Sequence, residues 1–188
     1  MSNWMALAAL AAAQNPSGST SAASAPSPVP PPACSTAEYR QLDFWVGDWV
    51  ATFDNGDGTK GTGRNRITRD EYGDCVITEH FTTDDGSMKG HSISMYVKQA
   101  GGWRQTWMDN QGGYFDLAGG PGLEPSAKFG LETIRQDEKM PFRRMIWQDV
   151  KPDSFTWRWQ GKAKAADAWK DQWVIHYTRA GTAASATK

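Results

Sequence analysis

Twenty Lys plus Arg stand against 21 Asp plus Glu in 188 residues, so the chain lacks a charge excess of either sign. Its basic residues are scattered, and neither nucleic acid nor an anionic membrane surface would find an electrostatic footprint on it. Also lacking are a nucleophile elbow, a Walker loop and a His-Glu-x-x-His pair, which removes the catalytic machineries readable from spacing alone. Only three histidines occur, His80, His91 and His176. A zinc site needs three or four protein ligands, so no metal is expected. Asp54-Asn-Gly-Asp-Gly58 lacks the ligand spacing and distal glutamate of an EF-hand and reads as a hairpin turn. Finally, no long helical period runs anywhere, which excludes a helix bundle.

Cysteine is scarce, with Cys34 and Cys75 alone, 41 positions apart. In an exported chain two cysteines favour a disulfide, and closing that loop would contribute roughly 4 kcal/mol in the chain-entropy account. Export itself is suggested by residues 1–13, where Trp4-Met-Ala-Leu-Ala-Ala-Leu-Ala-Ala-Ala13 has the length and small-residue end of a signal-peptide core. No Lys or Arg precedes it, so either the signal is incomplete or the true start codon lies upstream of Met1, the second being the expectation. Residues 14–33 are almost entirely Ser, Ala, Pro and Gly and read as a disordered tether. Pro30, Pro31 and Pro32 stand where a lipidated Cys34 would need aliphatic neighbours. The expected organisation is therefore a folded domain over 34–180 and a disordered tail over 181–188, in a periplasmic or secreted protein.

What the chain has in quantity is tryptophan, ten residues of it. In a domain of this size such rings must enter a core, a cavity or an interface. Ser35-Thr-Ala-Glu38 reads as a capping box opening a short helix over 36–42. Thereafter period-2 runs rich in β-branched and aromatic residues alternate with Gly, Asn, Asp and Pro turns. They predict ten strands, near 45–53, 61–69, 75–82, 88–98, 103–109, 114–118, 128–136, 142–150, 154–160 and 169–179. A ten-stranded meander has two open edges, and closure into an up-and-down antiparallel barrel removes both. Asp85-Gly86 as a two-residue turn of the primed type would pair residues whose numbers sum to 171, setting Glu79 against Ser92 and His80 against His91.

Several motifs recur in a recognisable order: Tyr39-Arg-x-x-Asp-Phe-Trp-Val-Gly-Asp-Trp49, Gly63-x-Asn-x-Ile67, Asp74-Cys-Val-Ile-Thr-Glu79, Gly90-x-Ser-x-x-x-Tyr96 and Trp103-Arg-Gln-x-Trp-x-Asp109. Together with Arg144-x-x-Trp147, Trp157-x-Trp159 and Tyr177-x-Arg179, this order resembles a family of exported bacterial domains of unknown function. That family is similar to the lipocalin and nitrobindin-like calycins. The resemblance implies a barrel in which a Gly-x-Trp tryptophan, here Trp49, closes one end beneath an arginine of the last strand, here Arg179. Where the family commonly carries Ser-Asp-Gly-Gly before the Trp169 position, this chain has Gly161-Lys-Ala-Lys-Ala-Ala-Asp-Ala168.

If the family-type residues face inward, the lumen holds Asn65, Glu79, Ser92, Ser94, Tyr96, Gln105 and Asp109 beside Trp103 and Trp107. Arg144 would then be the ion partner of a buried Glu79, because either charge alone is costly to bury. The expectation is a carrier or sequestering protein for a small, partly apolar ligand held by Asn65, Glu79, Ser92, Tyr96, Trp103, Gln105, Trp107 and Arg144, with no cofactor. An enzyme using Glu79 tuned by Arg144 is the alternative, and a haem protein using His176 is a third. Strand alternation groups His176 with Lys170, Gln172 and Val174 on the outer face, opposite Trp169, Trp173, Ile175 and Tyr177. The mouth is expected among the loops at 54–58, 84–86, 110–112, 136–141 and 161–168. Trp157 and Trp159 share a face, with core packing the default and a place over the cavity or on the exterior as alternatives; an exterior stripe would suit a partner surface or homodimer.

Overall fold

The computed structural model describes residues 33–69, 72–135, 137 and 139–181. The signal-like segment, the tether up to residue 32 and the tail from residue 182 lie outside the described residues. Ten strands follow in chain order: β1 Gly47–Asp54, β2 Lys60–Thr68, β3 Val76–Thr83, β4 Lys89–Val97, β5 Gly102–Asp109, β6 Tyr114–Gly120, β7 Phe129–Thr133, β8 Phe142–Lys151, β9 Ser154–Lys162 and β10 Lys170–Arg179. Each pairs antiparallel with the next, and β10 pairs back onto β1 through Trp49↔Arg179 to Phe53↔Ile175, which closes the barrel.

The β3–β4 register has Val76 opposite Met95, Glu79 opposite Ser92 and His80 opposite His91, so the pairs sum to 171 as expected. The turn that sets it is different. Asp84 to Ser87 form a four-residue loop closed by the Thr83 amide donating to Met88 O at 3.0 Å, with Gly86 alone at positive φ (72°). A primed two-residue turn needs positive φ at its first central residue, here Asp85, which does not have it and instead accepts from Thr83 Oγ1, the Ser87 amide and Ser87 Oγ. The longer loop is centred on the same point, so the register survives.

The helix expected over 36–42 is two short 3-10 turns, Ala37–Arg40 and Asp43–Trp45. The capping box does not form. Thr36 is the N-cap without a side-chain cap bond, and its hydroxyl donates to Glu38 Oε2 at 2.6 Å. This segment seals one end of the barrel. Leu42, Trp45 and Trp49 are fully buried, and Trp45 meets Trp147 edge-on at 5.3 Å. Gln41 Oε1 accepts from Trp103 Nε1 at 2.9 Å, and Trp45 O accepts from Trp49 Nε1 at 2.8 Å. Burying each such indole is worth on the order of 5 kcal/mol in transfer free energy, before the cost of ordering it.

Across the seal lies Arg179, its guanidinium carbon 4.2 Å from the Trp49 ring centroid. Its nitrogens donate to Pro152 O at 2.9 and 3.1 Å and to Val46 O at 3.3 Å, so one planar cation ties the last strand to the first and to the β8–β9 turn. Gly47, at φ 139°, leaves room for it, because a Cβ there would run into Arg179 Nη1. The Cys34–Cys75 disulfide, with Cα atoms 5.0 Å apart, staples the start of the sealing segment to the barrel wall.

Strand β10 carries one irregularity. Asp171 pairs with Gln160 but Trp173 pairs with Trp159, so Gln172 is an extra residue. Such a bulge reverses the alternation on its far side. Trp169, expected to share the inward face with Trp173, therefore lies outside, stacked under Arg144 at 4.4 Å and Lys162 at 4.6 Å.

Gly47→Ala is expected to lower unfolding free energy by about 1–3 kcal/mol, from the disfavoured φ plus displacement of Arg179. Urea unfolding followed by tryptophan fluorescence measures this; a neutral result would show that the seal does not depend on that close approach.

Candidate functional site

Above the seal the lumen is lined but not filled. A cavity of about 350 Å³ lies among Phe81, Trp107, Phe115, Trp147, Trp157, Trp159, Trp173 and Tyr177, with Met145 and Ile175 between them. Glu79 also faces it, and it reaches the rim at Met88, Asp109, Gln111 and Gly113. The rim belongs to the loops opposite the Trp45–Trp49 seal, and Gln111 is exposed there.

Strand parity builds the walls. On β9 the pairs Trp147↔Trp157 and Met145↔Trp159 put both β9 tryptophans inside, facing the β8 side chains of the same parity. They are not an exterior stripe, which removes the feature that suggested a dimer. Trp157 and Trp159 lie with their planes 3° apart, and Trp173 meets Trp157 edge-on at 6.2 Å. Trp107 is fixed by its Nε1 donating to Asp109 Oδ2 at 2.9 Å and by Gly90 on the neighbouring strand, where a Cβ would collide with the indole. The wall is thus set by backbone and hydrogen bonding, without need of a ligand to order it.

Glu79 meets no cation among the described residues. Among the described residues no ion pair reaches it, and its carboxylate accepts only from neutral groups: Asn65 Nδ2 at 2.7 Å on Oε1 and Ser92 Oγ at 2.6 Å on Oε2. Asn65 Nδ2 also reaches Tyr177 Oη at 3.3 Å. Burial disfavours the anion more than these two bonds favour it, so the Glu79 pKa is pushed up from 4.5 to about 7. Burial, with the Glu79 charge beside it, likewise raises Tyr177, which stays neutral. Asp109 at the rim behaves oppositely. Burial opposes its ionisation, but bonds from Trp107 Nε1 and the Gly113 and Gln111 amides outweigh that and hold it below the ordinary carboxylate value.

The expected partner of Glu79 is elsewhere. Arg144 neighbours the inward Met145 on β8, so it points out of the barrel, where its Nε donates to Gln160 Oε1 at 2.7 Å and its Nη1 pairs with Glu124 at 3.1 Å. One residue of strand alternation decides this, against the expectation from charge pairing. Of the other expected ligand contacts, Trp107 lines the cavity and Asn65 and Ser92 sit behind Glu79. Gln105, bonded to Ser94 Oγ at 2.8 Å, is buried away from the lining, and Trp103 and Tyr96 belong to the sealed end. Phe81, Phe115, Met145, Trp147, Trp157, Trp159, Trp173 and Tyr177 were not among the expected contacts, although the inward parity of Glu79 extended around the sheet would have found them.

None of the three histidines lines the cavity. His176 is exposed on the outer face, its Nδ1 3.3 Å from Thr156 Oγ1, so a haem in the lumen could not be held through it. His80 and His91 lie 4.4 Å apart with their rings tilted by 41° outside the barrel, and among the described residues no group of three potential metal ligands converges. A broad outer groove beside β1 and β10, lined by Lys60, Asp171 and His176, has its charges already engaged, Lys60 with Asp54 and Asp171 with Arg158. Among the described residues no helix is long and apolar enough to cross a membrane. No family model matches the chain, and no curated protein is similar to it at a significant level.

The raised Glu79 pKa carries a stability signature. Between pH 4.5 and about 7 the folded protein holds a proton that the unfolded chain has released, so unfolding free energy falls as pH rises through that window and levels off above it. The fall should be on the order of 3 kcal/mol and should vanish in Glu79→Gln. Urea midpoints between pH 4 and 8 test it, and identical profiles for the two proteins would place the charge of Glu79 in water.

Proposed function

We propose that this barrel binds a small, partly apolar molecule in its lumen and sequesters or carries it without a covalent step. The observation that carries the reading is the cavity of about 350 Å³ walled by Trp107, Trp157, Trp159 and Trp173 and floored by Glu79. Preformed apolar pockets with a few convergent polar groups are how proteins hold small ligands. A core built only for stability would have closed this space, because close packing is worth more than a void. The motif order resembling exported calycin-like domains supports the same reading. The Cys34–Cys75 disulfide supports an oxidising, periplasmic or secreted setting.

The second reading, a small-molecule enzyme on the same scaffold, rests on Glu79 alone. A carboxyl titrating near 7 is suited to general acid or base work at neutral pH. Arg144 has no part in it.

The carrier reading is tested with N-phenyl-1-naphthylamine, a fluorescent apolar probe. Its emission should rise on binding, and Trp157→Ala should weaken the affinity about tenfold through lost aromatic contact. Native mass spectrometry of protein from an exporting host should retain a small molecule that denaturation releases. A probe that does not bind, together with a bare protein mass, would overturn the reading.

A further inference from the structure

The charge of the cavity is one-sided. Of its described lining residues, only Glu79 at the floor and Asp109 at the rim are charged, and no Lys, Arg or His contributes to it. The groups facing Glu79 are Asn65 from β2, Ser92 from β4 and Tyr177 from β10, all neutral, while Asp109 on β5 is the other acid of the described lining. The same cavity is lined by Trp107, Trp157, Trp159 and Trp173, and indole rings attract cations through their quadrupoles. Resting on the proposed carrier function, we infer that the ligand is a small organic cation, an amine with an aromatic or apolar body, whose ammonium pairs with Glu79 while its body lies among Trp107, Trp157, Trp159 and Trp173.

The reasoning is one of complementarity. A carboxyl group buried without a cation is costly as an anion. Bound ammonium supplies the missing countercharge and donates N–H bonds to the Glu79 oxygens. The aromatic walls desolvate the same cation without demanding hydrogen bonds from it, as in aromatic cages for methylated ammonium groups. An anionic ligand would meet two carboxylates and no donor cation, and a neutral ligand would leave Glu79 as the free protein has it. Asp109, ionised at the rim, draws cations toward the mouth.

Three probes of nearly equal shape separate the cases: 2-phenylethylamine, 2-phenylethanol and phenylacetate, titrated calorimetrically into the wild-type protein. At pH 8 the amine should bind at least tenfold more tightly than the alcohol, and phenylacetate should not bind measurably. Below about pH 7 the amine affinity should fall toward tenfold per pH unit as Glu79 takes up its proton, while the alcohol should show no such change. Amine binding at pH 6 should release most of one proton, read from heats in buffers of different ionisation enthalpy. Glu79→Gln should bring amine and alcohol within about threefold of each other. If that variant fails to fold, the wild-type pH dependence and proton release decide the matter.

An alcohol binding as tightly as the amine, or an amine preference that survives in Glu79→Gln, overturns the cation assignment. In either case N-phenyl-1-naphthylamine binding would leave the carrier function standing. Absence of binding by all three probes and by the naphthylamine overturns both.

Discussion

Closure of β1 onto β10 is the constraint on which everything else hangs. Once Trp49 pairs with Arg179, every strand has two neighbours, no edge is left to aggregate, and each side chain is committed to an inside or an outside. Arg179 does more than satisfy a register position. Its guanidinium lies on the Trp49 ring and binds carbonyls from Pro152 and Val46, which ties the first strand, the last strand and an intervening turn together at one end. A lysine could reach one of those carbonyls but could not stack and fork at once.

A ten-stranded barrel encloses more volume than short side chains can fill, and the chain divides that volume unequally. The sealed half is packed with the 3-10 segment, Trp45, Trp49, Trp103 and Trp147, rings in edge-to-face contact and indole N–H groups of Trp49 and Trp103 satisfied by the segment itself. The other half is walled by half-buried tryptophans with space between them. The same residue type thus serves two ends, closed core and open cage, and the difference lies in whether a plug enters from outside the sheet.

Much of this was legible in the sequence because period 2 and closure are strong constraints. All ten strands and the β3–β4 register could be read, and the register survived a wrong turn type because both loops share a centre. What failed did so through a single residue of parity. Arg144 was assigned inward by charge pairing, although Met145 and Trp147 beside it fix the opposite face. Trp169 was grouped with Trp173 because nothing in Asp171-Gln172-Trp173 announces a bulge. A bulge is a local change of count, invisible to an alternation rule that assumes none. The capping box at Ser35–Glu38 failed for another reason: the segment is held by burial of Leu42 and Trp45, and tertiary packing chose tighter 3-10 turns over an isolated helical start.

With Arg144 outside, the meaning of Glu79 changes. An internal ion pair would have made it a structural group whose charge was already answered, and the cavity above it incidental. Two neutral donors do not outweigh its burial, so the carboxyl of the folded protein is disfavoured as an anion. A carboxyl that lowers stability at neutral pH while facing an aromatic-walled cavity is where the proposed function would be set against stability. Its destabilisation is removed by whatever brings a positive charge into the lumen, so occupancy and protonation of Glu79 become two competing solutions to one electrostatic problem.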